Sequence, residues 1–84
     1  MRILYFAWLR EKLGRGEEIF APPPQGMVTP RDVIAGLRAR GGAYADAFAN
    51  EALLRCAVDQ EFCALDAPLG DAQEIAFFPP VTGG

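Results

Sequence analysis

Histidine is absent from this 84-residue chain, and cysteine occurs only at Cys56 and Cys63. Serine and cysteine hydrolases of the common kind need an imidazole base, so that chemistry is excluded. A structural zinc site takes four ligands, usually Cys and His, and a plant-type iron–sulfur cluster takes four cysteines. Neither can be assembled here, and no metal site is expected. So few cysteines do not make a disulfide-rich scaffold either, which points to free thiols in a reducing cytosol. Each thiol reads first as a small buried apolar side chain; a persulfide-carrying role is the lesser alternative. No apolar run approaches the ~18 residues that span a bilayer. The opening Met1-Arg2-Ile3-Leu4-Tyr5-Phe6-Ala7-Trp8-Leu9-Arg10 lacks a longer h-region and a small-residue cleavage site, so no signal peptide is expected. Basic charge is scarce too. A net charge of −3, a pI near 4.7 and scattered arginines argue against a nucleic-acid partner. No phosphate-binding loop is present.

What remains is apolar. Hydrophobic residues make up 51% of the chain, enough to argue against disorder, and the length suits one domain. Residues 2–9 form a run rich in aromatic and branched side chains that reads as a strand with both faces covered, followed by a turn over 11–16. Residues 17–20 read as a second strand forming a hairpin with the first. Pro22-Pro23-Pro24 and Gly26 mark a stiff loop. Thr29 as a cap, Pro30 at the first helical position and Asp32 at the positive end of the dipole predict a helix. Val33, Ile34 and Leu37 would share its buried face, and Gly41-Gly42 would end it. A weaker helical turn is placed over 44–49. Strands follow at 53–58, 62–65 and 74–78, the last ended by Pro79-Pro80. One main helix on a mixed sheet of four or five strands is an α+β roll, the arrangement called β-grasp. The domain would span 1–78, and 79–84 would be a flexible tail.

A single helix covers one face of such a sheet, so the other should be polar. Strand parity says otherwise. Ile3, Tyr5 and Ala7 alternate with Leu4, Phe6 and Trp8, while Ile75 and Phe77 alternate with Phe78. If Ile75 and Phe77 face the helix, Phe6, Phe62 and Phe78 form an exposed aromatic patch of the kind that marks a protein–protein site. The alternative is a second small core under loops 10–16 or 42–51.

The chain closes on Pro79-Pro80-Val81-Thr82-Gly83-Gly84. Prolines cannot continue a central strand and favour an extended conformation. A six-residue arm reaches about 20 Å, enough to enter a partner's pocket. Glycines pass a narrow channel and leave the terminal carbonyl carbon open. That carboxylate is ionised at neutral pH and is a poor electrophile. Acyl chemistry there requires activation, for instance as a mixed anhydride with AMP, by a second protein that supplies ATP and Mg²⁺.

Phe77-Phe78-Pro79-Pro80-Val81-Thr82-Gly83-Gly84, the opening Ile3-Leu4-Tyr5-Phe6-Ala7 with Leu9-Arg10-Glu11, and Ala57-Val58-Asp59-Gln60 together resemble the MoaD-type sulfur carriers. These are the small subunits of molybdopterin synthase within the ubiquitin-like β-grasp group. The resemblance covers the whole chain. It implies that the Gly84 carboxylate is adenylated by an E1-like adenylyltransferase and converted by a persulfide-type sulfur donor to a thiocarboxylate. It implies next that the arm enters a pocket of the large synthase subunit, within a heterotetramer, and donates sulfur to the pterin precursor of the molybdenum cofactor. Gly84 would carry the sulfur as glycyl-adenylate and then thiocarboxylate, and Gly83 would give it access. Phe6, Phe62, Phe78, Pro79, Pro80, Val81 and Thr82 would contact partners, and the catalytic side chains would lie on the large subunit. No cofactor would be held by this chain. Departures are Asp71-Ala72-Gln73-Glu74, where the family often has a glycine in the second place, Asp59, where Asn is common, and the long proline loop. A carrier for thiamine synthesis or tRNA thiolation, and a non-catalytic ubiquitin-like interaction module, are the competing expectations.

Overall fold

The computed structural model describes residues 1–20 and 29–80. The Pro22–Pro24 loop and Val81, Thr82, Gly83 and Gly84 lie outside them. Nine short elements follow one another: β1 (Arg2–Tyr5), α1 (Trp8–Leu13), β2 (Glu17–Ile19), α2 (Pro30–Arg38), α3 (Gly42–Ala47), a 3₁₀ turn (Glu51–Leu53), β3 (Arg55–Val58), β4 (Glu61–Cys63) and β5 (Glu74–Phe78). The strands form one sheet in the order β2-β1-β5-β3-β4. β1 and β5 are parallel at its centre, and the other pairs are antiparallel. A mixed five-stranded sheet with helices packed on one face is the β-grasp arrangement.

The first strand is shorter than the apolar run predicts. It ends at Tyr5, although Phe6 N–H still donates to Phe77 O at 3.2 Å. Ala7 then takes a φ of 55°, and Trp8–Leu13 is helical. The run satisfies two periods at once. Leu9 and Leu13, four apart, turn toward the core on one helical face, with Leu9 fully buried. Gly14, in the left-handed region at φ 74°, donates to Arg10 O and closes the turn. Trp8 therefore packs against the core and does not sit on the open sheet face beside Leu4 and Phe6.

The second helix follows its sequence signals. Thr29 Oγ1 accepts from Asp32 N at 3.3 Å, and the Asp32 carboxylate accepts from Thr29 N at 2.9 Å, completing a capping box. Val33, Ile34 and Leu37 are buried on one stripe. Gly41 and Gly42 do more than end this helix. With φ of 76° and 56° they reverse the chain into α3, which lays Phe48 between Tyr5 and Phe77 at ring-centroid distances of 6.2 and 5.4 Å. Among the described residues three helices thus cover the sheet, of which α2 is the longest.

β2 inverts the expected pattern. Ile19 is 74% exposed, whereas the Glu18 side chain is only 7% exposed. Its carboxylate accepts from Tyr5 Oη at 2.8 Å, Tyr44 Oη at 2.6 Å and Arg40 Nη1 at 2.6 Å. Burial alone would raise the Glu18 pKa, but the hydrogen bonds from Tyr44, Arg40 and Tyr5 together hold it below the usual carboxylate range. Burial and the same carboxylate push both tyrosines up. The cluster fastens β2, the end of α2 and α3 to one another. Among the described residues no buried side-chain nitrogen or oxygen lacks a partner.

Candidate functional site

On the face of the sheet away from the helices, strand register builds a row across four strands. Leu4 pairs with Ala76, Ala76 with Ala57, and Ala57 with Phe62. The two alanines make a low floor. Phe6, Phe62 and Phe78 rise around it, and the resulting concavity of about 460 Å³ is rimmed by Gln60 and Glu74. Phe62 and Phe78 lie with centroids 5.5 Å apart at 57°. Phe62 is 85% exposed and Phe6 48%. The alternative, a second small core under loops 10–16 or 42–51, does not form over these rings. Two of the rings sit one residue from a core residue of opposite parity, Tyr5 beside Phe6 and Phe77 beside Phe78, because side chains alternate along a strand. Three aromatics held open over a rigid alanine floor can bind an apolar partner surface without reorganising.

Pro79 and Pro80 follow directly from β5 and are half-buried. The structure therefore brings Phe6, Phe62 and Phe78 together around one concavity, and Pro79 and Pro80 are joined to them through the chain after Phe78. Val81, Thr82, Gly83 and Gly84 lie outside the described residues.

The two departures in the turns are accommodated by one side chain. Asp59 and Gln60 have φ of 47° and 72°, the left-handed pair that a two-residue hairpin loop demands. Asp59 Oδ1 then accepts from both Gln73 N and Glu74 N at 3.1 Å. Asp59 thus fastens the start of β5 to the β3–β4 hairpin. Only the tolerance of Asp for positive φ hinted at this role in the sequence. A second concavity of about 530 Å³ lies beside it, lined by Arg2, Asp59, Asp71, Gln73 and Glu74. Within it Arg2 donates to Glu74 at 2.9 Å, and Asp59 is taken up by the two backbone N–H groups already described. Among the described residues, none of the acidic and cysteine side chains gathers in threes as a metal site would require. Nor is any described helix long and apolar enough to cross a membrane.

A β-grasp domain with an aromatic open face, running into a Pro-Pro-Val-Thr-Gly-Gly arm, defines a carrier-type ubiquitin-like protein. The chain matches the ThiS family model over residues 3–84, and it belongs to that family. It is 36% identical to the molybdopterin synthase sulfur carrier subunit of Escherichia coli and 35% identical to that of Haemophilus influenzae. Each alignment covers 100% of this chain and 99% of the relative. A Pyrococcus furiosus protein provisionally described as molybdopterin converting factor, subunit 1, superposes with a TM-score of 0.70 at 26% identity, over 95% of both chains.

Proposed function

We propose that this protein is the sulfur carrier subunit of a molybdopterin synthase and that Gly84 is its reacting residue. The observation that carries the reading is the full-length similarity to two such subunits, within a family match that runs through Gly83 and Gly84. The open aromatic face supports it, since a carrier must dock on successive partners. Activation joins the Gly84 carboxylate to AMP and expels pyrophosphate, which makes the acyl carbon electrophilic. The terminal sulfur of a persulfide donor attacks the acyl carbon and displaces AMP, giving an acyl disulfide. A second thiol on the donor attacks the donor sulfur of that S–S bond, forming a donor disulfide and leaving a thiocarboxylate at Gly84. The terminal sulfur is then a good nucleophile, and its acyl carbon is released by water after transfer to the pterin precursor.

The partners in this reading are the large synthase subunit, an E1-like adenylyltransferase and the persulfide donor. Phe6, Phe62 and Phe78 supply the docking surface, Pro79 and Pro80 stiffen the departure of the arm, and Val81 and Thr82 lead the glycines into the partner's pocket. Deleting Gly84 separates a carrier from an interaction module. Loss of molybdopterin synthesis with unchanged melting temperature and unchanged large-subunit binding is expected; synthesis that survives the deletion contradicts the reading.

A further inference from the structure

Cys56 and Cys63 face each other across the β3–β4 hairpin. They are register partners, and their sulfurs are 3.5 Å apart. In-register antiparallel partners hold their Cα atoms about 4.5–5.5 Å apart, within the roughly 4.4–6.8 Å that a disulfide bridges. We propose that these two thiols are a reversible redox pair, a disulfide-forming site on the covered side of the sheet where its edge strand β4 meets β3. Joining them requires the sulfurs to close to about 2.05 Å by side-chain rotation, with no change of strand register.

Access is asymmetric. Cys56 is buried and Cys63 is only partly so. A concavity of about 260 Å³ lined by Arg55, Cys56, Phe62, Cys63 and Phe78 opens beside them. Cys63 is therefore the sulfur that meets a reagent. Burial, reinforced by the contact with Cys63, pushes the Cys56 thiol up to about 12, so it stays protonated until it resolves the bond.

The co-reactant is a low-molecular-weight disulfide. The Cys63 thiolate attacks one of its sulfurs, forming a mixed disulfide and expelling one small thiolate. Cys56 gives its proton to solvent and attacks the Cys63 sulfur, expelling the second small thiolate. Two protein thiols are oxidised and one small disulfide is reduced. The product ties the edge strand β4, which carries Phe62, to β3.

The inference does not depend on Gly84. It is tested on the native chain in glutathione buffers of graded oxidised-to-reduced ratio, trapped with iodoacetamide and weighed intact. A parallel series is run in urea. Arg55 is the last basic residue, so trypsin leaves both cysteines in one peptide, whereas cleavage after Glu61 separates them. The expected product is lighter by two hydrogen atoms, carries no glutathione, and keeps its two cysteine peptides joined after that cleavage. Its formation constant should be about tenfold larger in the folded chain than in urea, because folding raises the effective concentration of one thiol at the other. Full alkylation throughout, glutathione or inter-chain adducts as the only products, or easier pairing in urea would overturn the proposal.

Discussion

The two faces of the sheet use the same residue types to opposite ends. On the covered face Tyr5, Phe48 and Phe77 pack against one another with at most 1% exposure. On the open face Phe6, Phe62 and Phe78 stand around two alanines, and among the described residues no second core covers them. Phe77 and Phe78 are consecutive, as are Tyr5 and Phe6, so chemistry does not distinguish the sets. Strand parity and the position of the helices do. Burial is bounded by what α1, α2 and α3 can cover, and the aromatic residues beyond that limit remain available to a partner.

Substitutions along β5 break this comparison most sharply. Phe77→Ala empties the centre of the covered face and is expected to cost about 3–5 kcal/mol of unfolding free energy, read from denaturant midpoints. Phe78→Ala should leave stability within about 1 kcal/mol. It should instead weaken large-subunit association by about 2 kcal/mol or more, measured by calorimetry. An equal loss of stability in the two variants would place both rings in one core.

The Glu18 cluster sharpens the account of the covered side. Glu18→Gln removes the charge from the bonds to Arg40, Tyr5 and Tyr44 and is expected to cost about 1–2 kcal/mol at neutral pH. Because the folded pKa of Glu18 is depressed, its contribution is present above the unfolded value near about 4.3 and is lost as pH falls through the folded value. The wild-type and Gln curves of stability against pH should therefore converge on acidification. At the alkaline end the raised tyrosine values act in the opposite sense. Stability should fall above about pH 10, where the unfolded chain releases phenol protons that the folded chain keeps. Following tyrosinate absorbance alongside unfolding checks this. The smallest effect is reserved for the most exposed ring: Phe62→Ala should change stability by no more than about 0.5 kcal/mol.

Local signals and strict alternation made much of this molecule legible. The capping box at Thr29, the buried stripe of α2 and the parity of β5 each lie within a few consecutive residues, and from them came both the β-grasp and the aromatic patch. The first apolar run resisted reading for a physical reason. Apolar residues at every position from Ile3 to Leu9 satisfy the strand and helix periods equally, and the divide is a positive φ at Ala7, which no turn residue announces. The burial of Glu18 depends on Arg40 and Tyr44, which lie 22 and 26 residues away in sequence. The pairing of Cys56 with Cys63 followed only once the register of the hairpin was known.

The reacting group proposed for this chain is the main-chain carboxylate of Gly84. That assignment is tested most directly by the intact mass of the chain after co-expression with an activating enzyme and a sulfur source. The mass should rise by the difference between one sulfur and one oxygen atom, and the change should map to the peptide that ends in Gly84. An unchanged mass, or a gain of whole sulfur atoms confined to Cys56 or Cys63, would contradict it.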